Sequence, residues 1–259
     1  MGAVRSVDDV LECLAEGTAG LVRDLSWLTD ADVREPSLLP GWTRGHVLTH
    51  LARNAEGGVR LLEWARTGVP SYEYPSLAAR AEAIEEGAGR PAAVLVADVR
   101  ATAGALAEAA ARMPPGAWQH LVTATTGQRA SAEMVARSRV AEVLIHHVDL
   151  DIGFGPGSWP AVFVRWMLAV VVQTINNRSL APLTTRLNAT DTGRSFQLGG
   201  NAGDTGQISG TEAELLAWLL GRSDGAGLAT VISRPLPPVP SIYLTRPVVP
   251  AKHSAHGWL

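Results

Sequence analysis

The segment GWTRGHVLTHLARNAEG, residues 41–57, carries His46 and His50 four residues apart, and RSRVAEVLIHHVDLDIG, residues 137–153, carries Glu142 and His146 at the same separation. That separation stacks two side chains on one helix face. Imidazole nitrogens facing a carboxylate oxygen form a donor set that holds a divalent metal such as zinc. Three protein ligands leave a fourth position open for water or substrate, as in catalytic zinc sites, and a doubly charged ion beside one carboxylate keeps a positive charge that a thiolate or hydroxide would neutralise. Spacing alone does not choose between His46 and His50 as the third ligand. The HExxH pattern of zinc proteases is absent, and a single histidine on an apolar helix is ordinarily packed or half-exposed. The argument for a metal therefore rests on two motifs placed together on two long helices.

Apolar periodicity outlines those helices. The first runs from about Val7 to Leu28, with Val10, Leu11, Leu14, Leu21 and Leu25 at helical spacing. The second, capped by Thr43, runs to about Arg66 and stops before Gly68 and Pro70. Pro91 starts a third that ends at MPPGAW, and the fourth spans about Ser131 to Ile152. The irregular connection PSYEYPSLAARAEAIEEGAGR, with a short helix expected around Arg80 to Glu86, is long enough to cover a bundle mouth. Four helices with one long crossover predict a four-helix bundle, in which metal ligands project inward from opposed helices. Beyond GFGPGSWP, residues 160–176 read as another apolar helix and TTRLNATDTGRSFQLGG as two strands around Asp191-Thr192-Gly193. TEAELLAWLLGR opens with a Thr211/Glu214 capping box, and GLATVIS reads as a last strand. The expected organisation is mostly α: a bundle over residues 1–155, a small α+β domain over 156–243 and a proline-rich tail over 244–259, whose His253 and His256 are tail residues.

Composition narrows the function classes. The 259 residues, 46 % hydrophobic and 18 % charged, suffice for the cores of two domains. A net charge of −3 offers no basic footprint for nucleic acid. MGAVRSVDDV lacks an apolar signal core, and the most apolar run, AVFVRWMLAVVV at 161–172, is too short for a bilayer and contains Arg165. A soluble, cytoplasmic protein is expected. Cys13 is the single cysteine, so no internal disulfide or cysteine zinc site can form. Of the 22 basic residues only Lys252 is a lysine, the mark of GC-rich coding and a pointer to an actinobacterial source.

The two histidine motifs, about ninety residues apart, resemble those of the mycothiol-dependent maleylpyruvate isomerase family, a branch of the DinB-like metal-binding bundles. The resemblance covers nearly the whole chain, including the order of bundle and small α+β domain. It implies zinc on His50, Glu142 and His146, with His46 in the first turn of its helix behind the metal or facing substrate. His147, about 100° around the helix from His146, is then packed or solvated. The resemblance further implies catalytic roles for Arg80, in SLAARAEAIEEG, and for Arg222, in LLGRSDG, which the small domain would bring to the site. A planar guanidinium suits the carboxylates of a small dicarboxylate substrate. His46, Arg53 and Asn54 are the candidate contacts for the cofactor mycothiol, Arg44 a further one for thiol or substrate, and Asp149 either orients a ligand or faces solvent. The implied reaction is cis-trans isomerisation of maleylpyruvate to fumarylpyruvate by reversible thiolate addition. Its partners are a small-molecule thiol and a small electrophilic acid, with no nucleic acid or membrane. Two other readings keep the same site: a mycothiol S-transferase acting on another electrophile, and a metal-binding bundle without turnover, which a fourth protein ligand such as His46 would favour.

Overall fold

Chain segments that bury an apolar stripe while capping their own ends account for most of this structure, a computed structural model describing residues 6–181, 183–200 and 206–231. These divide into two compact units, residues 6–153 and 154–231.

In the first unit, α1 (Val7–Asp24), α2 (Arg44–Thr67), α4 (Ala92–Ala111) and α5 (Ala132–Asp149) are the long helices, and α3 (Leu77–Ala88) lies in the crossover. Helix α2 packs on α3, α4 and α5, and α1 closes against α4 and α5. Leu21, Leu48, Leu51, Leu62, Leu95 and Leu144 form the apolar centre, each withdrawn from solvent. Ser6 and Asp9 cap α1 reciprocally, and Ser131 accepts from the Met134 amide at the start of α5. Helix α2 ends at Gly68, whose φ of 77° suits a residue without Cβ.

Two glycines bring α3 close to α2. A Cβ on Gly45 would collide with the Ala88 carbonyl oxygen, and one on Gly87 with the Thr49 side chain. This approach carries Arg80 to His50. The crossover helix is a full 12 residues, longer than the expected Arg80–Glu86 turn, because Ser76 caps it by accepting from the Ala79 amide. A hairpin absent from the sequence reading, β1 (Leu121–Thr123) with β2 (Arg129–Ser131), precedes α5. Strands of three residues leave too little alternation to detect. The hairpin turn holds the crossover: Thr125 Nα donates to Glu73 Oε2 at 3.1 Å, and Tyr74 Nα to Thr125 Oγ1 at 3.2 Å.

Helices α1 and α5 stop short of Leu28 and Ile152. Arg44 explains the second stop: its Nε donates to the Leu150 carbonyl at 2.7 Å and its Nη2 to that of Asp151 at 3.0 Å, supplying donors and charge where α5 runs out of amides. Asp151 there turns to φ 52°.

In the second unit, α6 (Ala161–Asn177) and α7 (Glu212–Leu219) cover a four-stranded sheet of β3 (Thr185–Ala189), β4 (Ser195–Leu198), β5 (Gln207–Gly210) and β6 (Ala229–Val231), in the order β4-β3-β5-β6. β3 pairs antiparallel with β4 and parallel with β5, while β5 pairs antiparallel with β6. Leu187, Leu198 and Ile208 are fully buried on the sheet. The hairpin, the Thr211/Glu214 box and the last strand match the sequence reading; the four-residue β5 was not legible in it. The architecture is mostly α followed by a small α+β part, as expected. The proline-rich tail, with His253 and His256, lies outside the described residues, and among those residues no helix is long and apolar enough to cross a membrane.

Candidate metal centre

Helices α2 and α5 bring three ligand-type atoms to one point. His50 Nε2 stands 2.7 Å from Glu142 Oε2 and 3.1 Å from His146 Nε2, which is itself 3.2 Å from Glu142 Oε2. All three residues are buried, and the donor atoms lie within 4.8 Å of one another. Two imidazole nitrogens and a carboxylate oxygen, withdrawn from water and aimed together, fit a divalent metal of zinc type. Among the described residues no fourth histidine, cysteine or acid joins this group.

The protonation states of His50 and Glu142 suit ligation. Burial pushes the His50 imidazolium down to about 3 against the pull of Glu142, with Arg80 adding to the fall, so the ring is neutral at physiological pH. Burial alone would raise the Glu142 carboxyl, but the contacts with His50 and His146 hold it well below the ordinary carboxylate range. His146 is raised: its bonds to Asp149 and Glu142 outweigh burial. Asp149, fully buried, sets its Oδ2 2.7 Å from His146 Nδ1. It therefore accepts the Nδ1 hydrogen and turns Nε2 toward the centre, and it does not face solvent.

Arg80 is buried beside the same centre, its Nη2 2.9 Å from His50 Nδ1 and its guanidinium carbon 5.8 Å from the Tyr74 ring centre. A guanidinium only donates, so here His50 Nδ1 accepts and the ring hydrogen lies on Nε2, facing Glu142; a metal held at Nε2 would require that hydrogen on Nδ1 and the Arg80 contact released. Burial lifts the Tyr74 phenol to about 12 despite its hydrogen bond with Arg80, and burial also raises the carboxyl of neighbouring Glu73. Arg139, missed at the sequence level, donates from Nη1 to the Leu51 carbonyl at 3.0 Å and to Asn54 Oδ1 at 2.7 Å. Burial lowers it only to about 10, with Glu142 and Tyr74 sustaining its charge. Its place three residues before Glu142, on the same helix face, was the available signal. Nothing in the sequence pattern marked Glu73 or Tyr74, which reach the site through the crossover.

The other expected site residues of the first unit are not among the three donors. His46 Nδ1 lies 3.1 Å from the Thr43 amide and 2.7 Å from its hydroxyl, doing for α2 what glutamate does in a capping box. Its ring stacks on Trp42 at 6.0 Å, and its Nε2 is 3.4 Å from Glu85. Arg53 binds Asp98 at 2.7 Å and Glu56 at 3.2 Å, and Asp98 also holds Arg90 at 2.7 Å. Arg44 is corrected from a thiol or substrate contact to the cap of α5, since its donors already face backbone carbonyls. His147 is buried against Asp24, with Nε2 3.2 Å from Oδ2. Arg222 belongs to the second unit, where its backbone amide donates to the Ala217 carbonyl at 2.8 Å and its Nη1 to that of Leu220 at 2.7 Å, at the end of α7.

Comparison with known proteins bears on this geometry. Residues 14–151, more than half of the chain, match the family model described as the mycothiol maleylpyruvate isomerase N-terminal domain. No curated protein gives a significant match. Among solved structures, the chain is similar to the crystal structure of the mycothiol-dependent maleylpyruvate isomerase, with 28 % identity, a TM-score of 0.85, and coverage of 93 % of this chain and 99 % of that one. A histidine-to-alanine mutant of the mycothiol-dependent maleylpyruvate isomerase matches at 27 % identity with the same TM-score and coverage.

Proposed function

Because this chain belongs to the mycothiol maleylpyruvate isomerase family, we propose that it converts maleylpyruvate to fumarylpyruvate with zinc held by His50, Glu142 and His146 and with mycothiol as the thiol cofactor. The observation that carries this reading is a buried three-donor cluster with an arginine seated against one of its ligands. When bound, zinc and mycothiol would supply a thiolate at neutral pH, able to add to the cis double bond and leave after the bond has rotated.

The chain's own residues provide the surroundings. Cys13 is buried in α1, and burial pushes its thiol up to about 11, which disfavours it as the nucleophile. Glu142, Asp149 and Glu73 face Arg80 and Arg139, so a divalent ion would leave the site with a net positive charge. Such a site favours a thiolate together with a carboxylate-bearing substrate. Arg80 is the residue we assign to the substrate carboxylate and to the negative charge that builds up during addition, because its planar fork matches both. Arg222, in the second unit, is assigned a catalytic role on the family resemblance alone. His46, Arg53 and Asn54 lie on α2 near His50 but are already engaged, so any contact with mycothiol must be made beside or in exchange for those bonds.

The test is the rate at which zinc-loaded protein consumes maleylpyruvate, with and without mycothiol. Turnover that requires mycothiol without consuming it supports the proposal. Folded, zinc-loaded protein that is inactive on maleylpyruvate, or that uses up mycothiol as an S-transferase would, refutes it.

A further inference from the structure

Asn54 follows His50 by one turn on α2, and Arg139 precedes Glu142 by three residues on α5, so each shares a face with a ligand. Arg139 is only 4 % exposed. A guanidinium taken from water this completely is unfavourable unless its donors and charge are matched. Helix α2 supplies the match for the donors, through the Leu51 carbonyl at 3.0 Å and Asn54 Oδ1 at 2.7 Å. Glu142 supplies a facing negative charge. A second arginine ties the same helices on the other side of the ligands, where Arg44 at the start of α2 reaches the Leu150 carbonyl past the end of α5. The two ties bracket the layer that contains His50, Glu142 and His146.

We propose that Arg139, seated on Asn54 and the Leu51 carbonyl, is a positioning residue of the metal centre, setting α5 against α2 so that Glu142 Oε2 meets His50 Nε2. The inference rests on reading the three donors as a metal site. Asn54 is thereby assigned to holding Arg139. A slip of α5 along α2 by a fraction of a turn would separate the donor atoms by more than a metal–ligand bond tolerates, and a buried guanidinium whose Nη1 donates to two acceptors on α2 resists such a slip better than apolar packing does.

The experiment measures zinc affinity by competition with a chromophoric chelator, and the visible spectrum of the cobalt-substituted protein, in folded variants checked by circular dichroism. Asn54→Leu removes the acceptor and is expected to weaken zinc about tenfold and shift the cobalt bands, whereas Asn54→Asp keeps an acceptor oxygen and stays within about twofold of the parent. Arg139→Met should exceed the Asn54→Leu effect; if it does not fold, the Asn54 pair still decides. Leu106→Ala, which opens a cavity on α4, a helix that carries no ligand, is the control, expected to lower the melting temperature while leaving zinc affinity unchanged. The inference is overturned if Asn54→Leu matches the parent in affinity and spectrum, if Asn54→Asp is as weak as Asn54→Leu, or if Leu106→Ala weakens zinc equally. A parent protein that binds neither metal refutes the metal reading itself, and this inference with it.

Discussion

Replacing Asp149 by asparagine isolates the support given to one ligand. The carboxylate lies 2.7 Å from His146 Nδ1 and is fully buried, so the substitution changes charge while nearly preserving shape. A hydrogen bond to a charged group contributes about 1.5–3 kcal/mol and a neutral one about 0.5–1.5, leaving a loss of roughly 1–1.5 kcal/mol, or about tenfold in zinc affinity. If the amide turns its NH2 toward Nδ1, the ring hydrogen must move to Nε2, where it blocks the metal, and the loss grows toward about a hundredfold. Chelator competition at pH 7.5 measures this directly. A second signature follows from the sign of the shift. Asp149 helps raise the His146 pKa, so in the parent protein protons compete for Nε2 more strongly as pH falls, and the gap between parent and Asp149→Asn should narrow on acidification. Equal zinc affinity at pH 7.5 in a folded Asp149→Asn protein would refute the reasoning, because a group that sets ligand orientation and basicity cannot be neutralised without effect.

Other outcomes follow from the same geometry. His50→Ala should lose most of its zinc, while His46→Ala should retain it and lose about 1 kcal/mol of stability through the α2 cap, as read by metal analysis and chemical denaturation; equal metal loss in both sinks the ligand assignment. Metal-free protein should lose stability on acidification. His50, depressed to about 3 in the folded state, contributes fully above its unfolded pKa and costs about 2 kcal/mol by pH 5, with raised His146 opposing; denaturation of His50→Gln at pH 7.5 and 5 should show a smaller drop than the parent. Arg222→Ala should keep zinc and lose turnover, and activity that merely tracks unfolding of the second unit in thermal melts would defeat the catalytic role.

Much of this site is local geometry, and local geometry can be read from the chain. Glu142 and His146 share a face because a helix repeats every 3.6 residues, whatever surrounds them. The same periodicity marked α1, α2, α4 and α5, and with them the bundle. Hairpin β1–β2 and strand β5 escaped because three or four residues give no period to recognise. The choice of His50 over His46 came from family resemblance, since both obey the same spacing; the fold gives the physical reason, with His46 turned back onto Thr43 as a cap. Asp149 had two open roles, and burial against His146 removes the solvent-facing one.

What tertiary structure alone decided are contacts between residues far apart in sequence. Arg80 reaches His50 because Gly45 and Gly87 let α3 close on α2. Arg139 reaches Asn54, and Arg44 reaches Leu150, because antiparallel packing sets one helix's register against the other. The sequence by itself determines which side chains share a face, because that follows from backbone geometry within a few residues. Which faces meet, and at what height, depends on how whole side-chain surfaces interlock, and no spacing within one segment records that.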